Sequence, residues 1–90
     1  MIISFRHKGL QRLFEEGRSK GVDPKLAKKL VRQLDALNAA SEPRDVGMWG
    51  LHPLKGDRKH EWAIVVSGNY RVTFGFENGD VKNVGLEDYH

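Results

Sequence analysis

The hydrophobic period of the chain changes once, near residue 45, and that change decides which folds are open to it. Before it, Leu10, Leu13 and Phe14 recur at i, i+3, i+4, and Leu26, Leu30, Val31, Leu34 and Leu37 continue at helical spacing. After it, Trp62, Ile64 and Val66 alternate with Ala63 and Val65, and Tyr70, Val72, Phe74 and Phe76 alternate with Arg71, Thr73 and Gly75. Helices first and strands afterwards predict an α+β class rather than alternating βαβ units.

Local signals punctuate both halves. Gly17 is placed to end the first helix as its C′ residue. Asp23-Pro24 starts the second, with Asp as N-cap and Pro as N1, and the spacing predicts an amphipathic helix over about 24–39, closed by Ser41-Glu42-Pro43. Lys25, Lys28, Lys29 and Arg32 fall largely off its leucine stripe. Ser67-Gly68-Asn69 and Asn78-Gly79 read as hairpin turns. Val84 and Leu86 carry a last strand towards Asp88. Ile2 to Phe5 is a candidate edge strand, and Met48 to Leu54 a further one broken at His52-Pro53. The expected architecture is two N-terminal helices packed on one face of a small, twisted antiparallel sheet. The leucine stripe needs an apolar surface, which Tyr70, Val72, Phe74 and Phe76 supply; Arg71 and Thr73 are then expected to look out from the opposite, uncovered face.

At 90 residues the chain fits one domain spanning 1–90, with no room for separate catalytic and regulatory halves. It has no cysteine, which excludes a disulfide framework, a thiolate metal site and a thiol nucleophile. The apolar N-terminus gives way to Arg6, His7 and Lys8 too early for an export signal, and no window approaches a membrane span; the expectation is a cytoplasmic protein with no membrane partner. Fifteen Lys and Arg against 12 Asp and Glu give a net charge of +3, compatible with an acidic partner such as RNA without requiring one.

Three clusters hold side chains able to do chemistry: Leu51-His52-Pro53-Leu54-Lys55-Gly56-Asp57-Arg58, Arg71 within an apolar strand, and Asp88-Tyr89-His90 at the end. Each also has a plain structural reading, as a strand end and turn, a solvent-side strand residue and a frayed tail. Taken together they hold the groups needed for RNA cleavage without a metal. Imidazoles move protons near neutral pH, Lys and Arg stabilise the phosphoryl transition state, and Tyr stacks on a base or bonds a phosphate oxygen. The competing metal reading fails on spacing, since His52, His60, His90, Asp57 and Asp88 form no compact ligand motif. No phosphate-cradling glycine motif supports a nucleotide cofactor, so none is expected. A helix-turn-helix in the basic first half has no better support, because a charged face opposite a leucine stripe is what any surface helix shows.

These motifs also carry a resemblance over essentially the whole chain. The Ile3-to-Leu10 segment, the Leu51-to-Arg58 run, Trp62-Ala63-Ile64, Asn69-to-Phe74 and the terminal Glu87-Asp88-Tyr89-His90 resemble the HigB-type toxins of the RelE superfamily of bacterial toxin–antitoxin modules. The resemblance implies a microbial-RNase-like α+β fold and an mRNA interferase that cleaves mRNA in the A site of the translating ribosome. Its implied partners are mRNA, the 70S ribosome through small-subunit rRNA, a HigA-like helix-turn-helix antitoxin and, only through that antitoxin, operator DNA. The family's catalytic positions match at His52, Lys55, Arg71, Asp88, Tyr89 and His90, with Arg58, Lys59 and Thr73 as RNA- or ribosome-contacting candidates. Tyr70 stands where Trp is frequent and Gly75 where a polar residue is usual. The alternative is a non-catalytic binding protein on the same scaffold, blocking translation or repressing transcription with its antitoxin.

Overall fold

The computed structural model of the chain describes residues 1–89. Helix α1 spans Lys8–Glu16 and helix α2 spans Pro24–Ala39; strands β1 (His52–Pro53), β2 (Glu61–Ser67), β3 (Tyr70–Glu77) and β4 (Asp80–Asp88) form one antiparallel sheet in the order β1-β2-β3-β4. Two 3-10 segments, Pro43–Trp49 and Gly56–Arg58, flank β1.

Local chemistry accounts for the helix ends. The His7 ring accepts from the Leu10 N–H at 3.1 Å, which caps α1. Gly17 ends it at φ 71°, its N–H bonded to the Leu13 carbonyl. Asp23 caps α2 by accepting from the Lys25 N–H at 2.9 Å, with Pro24 in the first turn. Asn78 and Gly79 both have positive φ (53° and 82°), the mirror-image turn that suits the twist of the β3–β4 hairpin.

The two helices bury their stripe against one sheet face. Leu10, Leu30, Leu34 and Leu37 from the helices meet Ile64, Val66, Val72, Phe74, Val81 and Val84 from the strands, all fully buried. Burying a side chain of this size stabilises the fold by roughly 1.5–3 kcal/mol, the largest favourable contribution here. Gln33 lies fully buried on the same stripe, and its amide donates to the Val65 carbonyl at 2.8 Å. That carbonyl borders the irregularity where Val65 pairs with Arg71 but Ser67 pairs with Tyr70, so the helix supplies a donor where the strand pairing is disturbed.

Three expectations are corrected. The Met48–Leu54 strand is instead the 3-10 segment Pro43–Trp49 followed by a two-residue β1. Pro43 in its first turn and a reciprocal capping box between Glu42 and Asp45 hold it helical, and Gly50 leaves it at φ 67°. Ile2–Phe5 runs along the outer edge of β4 but pairs parallel, through bridges Ile2 to Val81 and Phe5 to Val84, and forms no continuous strand. It follows a bulge at which β4 carries an extra residue, Asn83 at φ 54°, whose N–H bonds the Ser4 hydroxyl at 2.8 Å. Finally, Thr73 is on the face away from the helices but is fully buried, because that face is not uncovered.

Candidate active site

Strand register places the sequence candidates. His52 pairs with Ala63, Ala63 with Thr73 and Thr73 with Gly85, which makes one row across the sheet; Val65, Arg71 and Glu87 make the next. Directly paired residues share a face, so His52, Thr73, Arg71 and Glu87 all project from the face opposite the helices. His52 and Arg71 are two strands and two residues apart, a Cα separation of about 12 Å from ordinary strand spacing.

Each side chain has a defined setting. His52 is half-buried, its Nδ1 3.3 Å from the Gly50 carbonyl. A carbonyl only accepts, so this contact is a hydrogen bond in the Nδ1–H tautomer, which leaves Nε2 as a bare acceptor. Arg71 is half-buried and turns towards the β2–β3 turn, donating to the carbonyls of Gly68 at 2.7 Å and Tyr70 at 3.1 Å. Its guanidinium carbon stands 5.6 Å from the centre of the Tyr89 ring, a cation–π contact. Tyr89 is in turn anchored by its N–H to the Asn69 carbonyl at 2.8 Å. The backbone therefore brings Arg71 and Tyr89 together although they are far apart in sequence. Asp88 is exposed and pairs with Tyr70, so strand parity puts it on the other side of the sheet from Arg71 and Glu87. Lys55 is exposed on the loop between β1 and β2, where it precedes the 3-10 turn Gly56–Arg58; Lys59, also exposed, follows that turn. His90 lies outside the described residues.

Ion pairs cover the remainder of the face. Arg58 donates Nε to Glu61 at 2.8 Å and both terminal nitrogens to the two oxygens of Glu87, Nη1 at 2.8 Å. Arg6 donates to Glu61 at 2.6 Å and stands 3.6 Å from Glu87. The Thr73 hydroxyl donates to Glu87 at 3.3 Å from below. A side chain at Gly85 would meet that hydroxyl at 3.1 Å, so the glycine leaves space for the cluster. The arrangement sets the protonation of its members. The hydrogen bonds Arg58 donates to Glu87 and Glu61 raise its pKa further. The Arg58 hydrogen bonds hold Glu87 below the usual carboxylate range; at Glu61 burial pushes the other way, but bonds from Arg58 and Arg6 outweigh it and the net shift is also down. A cleft of about 510 Å³ lies beside this cluster, lined by Arg6, Arg58, His60, Gly75 and Lys82, rather than over His52 and Arg71.

Of the nine sequence candidates, then, His52 and Arg71 share the face opposite the helices, the Tyr89 ring lies against Arg71, Asp88 is one row further on with the opposite parity, and Lys55 and Lys59 lie on the neighbouring loop. Thr73 is covered, and Arg58 is engaged by two carboxylates. The sequence reading missed Arg6, Glu61 and Glu87. Strand parity was the available signal for the last two, because both fall on the Arg71 side of the alternation.

The RelE-like toxin of type II toxin–antitoxin system HigB family matches residues 3–90. The chain belongs to this HigB-like toxin family. Along its full length it is also similar to a protein of Proteus vulgaris, Endoribonuclease HigB: 45% identical over 92 aligned residues that cover all of both chains. A HigB-like toxin implies an antitoxin partner, and the helix-plus-antiparallel-sheet fold agrees with a RelE-like toxin. No helix among the described residues is long and apolar enough to cross a membrane. Among the same residues, no three His, Asp or Glu side chains gather as a metal cage.

Proposed function

We propose that this HigB-like toxin is a ribosome-dependent endoribonuclease that cleaves mRNA in the A site, without a metal. The observation that carries the reading is the shared face of His52 and Arg71, with Tyr89 stacked on the guanidinium; the similarity to an endoribonuclease supplies the reaction class. The RNA 2′-hydroxyl gives its proton to a base and attacks the adjacent phosphorus. The bond from phosphorus to the 5′-oxygen breaks, an acid protonates that oxygen, and a 2′,3′-cyclic phosphate and a 5′-hydroxyl remain. When its Nδ1–H donates to the Gly50 carbonyl, His52 takes the 2′-hydroxyl proton on Nε2, and His90 is the partner imidazole. Arg71 and Lys55 hold the negative phosphoryl oxygens. Tyr89 stacks on a base, and Asp88 orients an imidazole or the substrate. Lys59 and the exposed basic face of α2 meet rRNA phosphates. Thr73, being covered, contacts no RNA in this reading and instead holds Glu87.

Primer extension on programmed, purified ribosomes tests this directly. Wild-type protein should produce breaks at A-site codons and leave the same naked mRNA intact. His52→Ala should slow single-turnover cleavage by about 10²–10⁴-fold, the usual weight of one acid–base group. Translation arrest without breaks would instead identify a non-catalytic blocker.

A further inference from the structure

Glu87 occupies an unusual place. It lies directly opposite Arg71 across β3 and β4, where an acid and a base on one face ordinarily pair. Among the described residues these two form no ion pair. Their side chains part along the strands: Glu87 turns towards Thr73, Arg58 and Arg6, whereas Arg71 turns towards Gly68 and Tyr89. A carboxylate so close to a phosphate-holding guanidinium is a competitor for it, since it offers the same bidentate oxygens as the substrate. What keeps it away is visible in the geometry. The Arg58 fork takes both Glu87 oxygens, Thr73 donates from the sheet, and the missing side chain at Gly85 leaves room for that Thr73 hydroxyl.

We infer that Arg58 is a positioning residue for RNA cleavage: by engaging Glu87 it keeps that carboxylate off Arg71 and leaves Arg71 free for the scissile phosphate. The inference rests on the proposed role of Arg71. It replaces the direct RNA contact expected of Arg58 from sequence. Arg6 does not substitute for Arg58, because it stands further from Glu87 and already serves Glu61. When the fork is lost, Glu87 swings the short distance to Arg71.

The test is single-turnover cleavage of mRNA on programmed ribosomes by wild type, Arg58→Met, Glu87→Gln, the Arg58→Met/Glu87→Gln double variant and Arg71→Ala, with thermal unfolding of each. Methionine keeps the apolar stem of Arg58, and glutamine keeps an acceptor without the charge. Arg58→Met should be slowed roughly tenfold or more, and adding Glu87→Gln should return most of that loss even though the double variant has lost more of the cluster and melts no higher. Glu87→Gln alone should cleave within about threefold of wild type. A double variant as slow as Arg58→Met, or slower, overturns the inference; so does a Glu87→Gln protein slowed as much as Arg58→Met. If Arg58→Met does not fold, Arg58→Lys, which keeps one charged contact, takes its place, with an intermediate rate and the same rescue expected. Arg71→Ala separates the two levels. Full activity there overturns the reading of the site itself, whereas an inactive Arg71→Ala with no rescue at Glu87 overturns the role of Arg58 alone.

Discussion

At the scale of single residues, the tightest constraint in the helical half is Gly9. A β-carbon there would lie 2.6 Å from the Gly21 carbonyl and 2.7 Å from the ring of His7, which caps the same helix. One methyl group thus presses on the cap and on the loop before α2 together. Gly9→Ala should cost about 1–3 kcal/mol, the usual penalty of overpacking, despite alanine's better helix propensity. For a chain of this size that lowers the melting temperature by several degrees; a melting temperature equal to wild type would mean the loop simply yields. Tyr89 makes a second residue-scale prediction. Its ring, not its hydroxyl, faces Arg71. Tyr89→Phe should therefore keep most cleavage, and Tyr89→Ala should lose roughly 1–3 kcal/mol of stacking, readable as a 10- to 100-fold slower single turnover. Equal loss in both variants would assign the work to the hydroxyl instead.

At the scale of elements, the joint between α2 and β2 turns on one polar contact. Gln33 stands on the leucine stripe and gives its amide to the carbonyl beside the β2 irregularity. Gln33→Leu fits the stripe better by hydropathy and removes the buried, unpartnered Gln33 Oε1, but it should still destabilise the protein, by about 1 kcal/mol, because the half-buried Val65 carbonyl loses its donor. Denaturant unfolding measures it, and a more stable leucine variant would show that the carbonyl finds another partner. The same joint shows what was legible in the sequence. Both helices and the β3–β4 hairpin follow from short-range signals, namely caps, period and Asn78-Gly79, and these are as predicted. Pro43–Trp49 is not legible as helix, because apolar Met48, Leu51 and Leu54 suggest a strand while the capping box of Glu42 and Asp45 lies upstream of them. The parallel course of Ile2–Phe5 depends on a β4 bulge some 80 residues away, which no local pattern announces.

At the scale of the molecule, the covered sheet face departs most from the sequence reading, and the reason is charge. Alternation correctly put Arg71 and Thr73 opposite the core, but it carries no sign that Arg6, Arg58, Glu61 and Glu87 meet there. Folding brings these four, from the N-terminal segment, the β1–β2 loop, β2 and β4, into one hydrogen-bonded cluster that roofs Thr73. A cluster linking four segments makes whole-molecule stability depend on pH. Both carboxylates titrate below their usual range in the fold, Glu87 chiefly through its bonds from Arg58, and Glu61 because bonds from Arg58 and Arg6 overcome its burial. The folded protein thus binds these protons less readily than the unfolded chain. By linkage, the stability the two groups contribute is fully present above the unfolded carboxylate range, about pH 4.3, and is lost as pH falls through the lower folded values. Thermal melts from neutral pH down to about pH 3 should show a falling acid limb for wild type. In Glu87→Gln that limb should be flatter: the variant melts below wild type at neutral pH, and the two curves draw together in acid, where protonation has already neutralised Glu87 in the wild type. Curves that stay parallel to pH 3 would show that Glu87 titrates alike in the folded and unfolded chains, and the acid sensitivity would then belong to carboxylates outside the cluster.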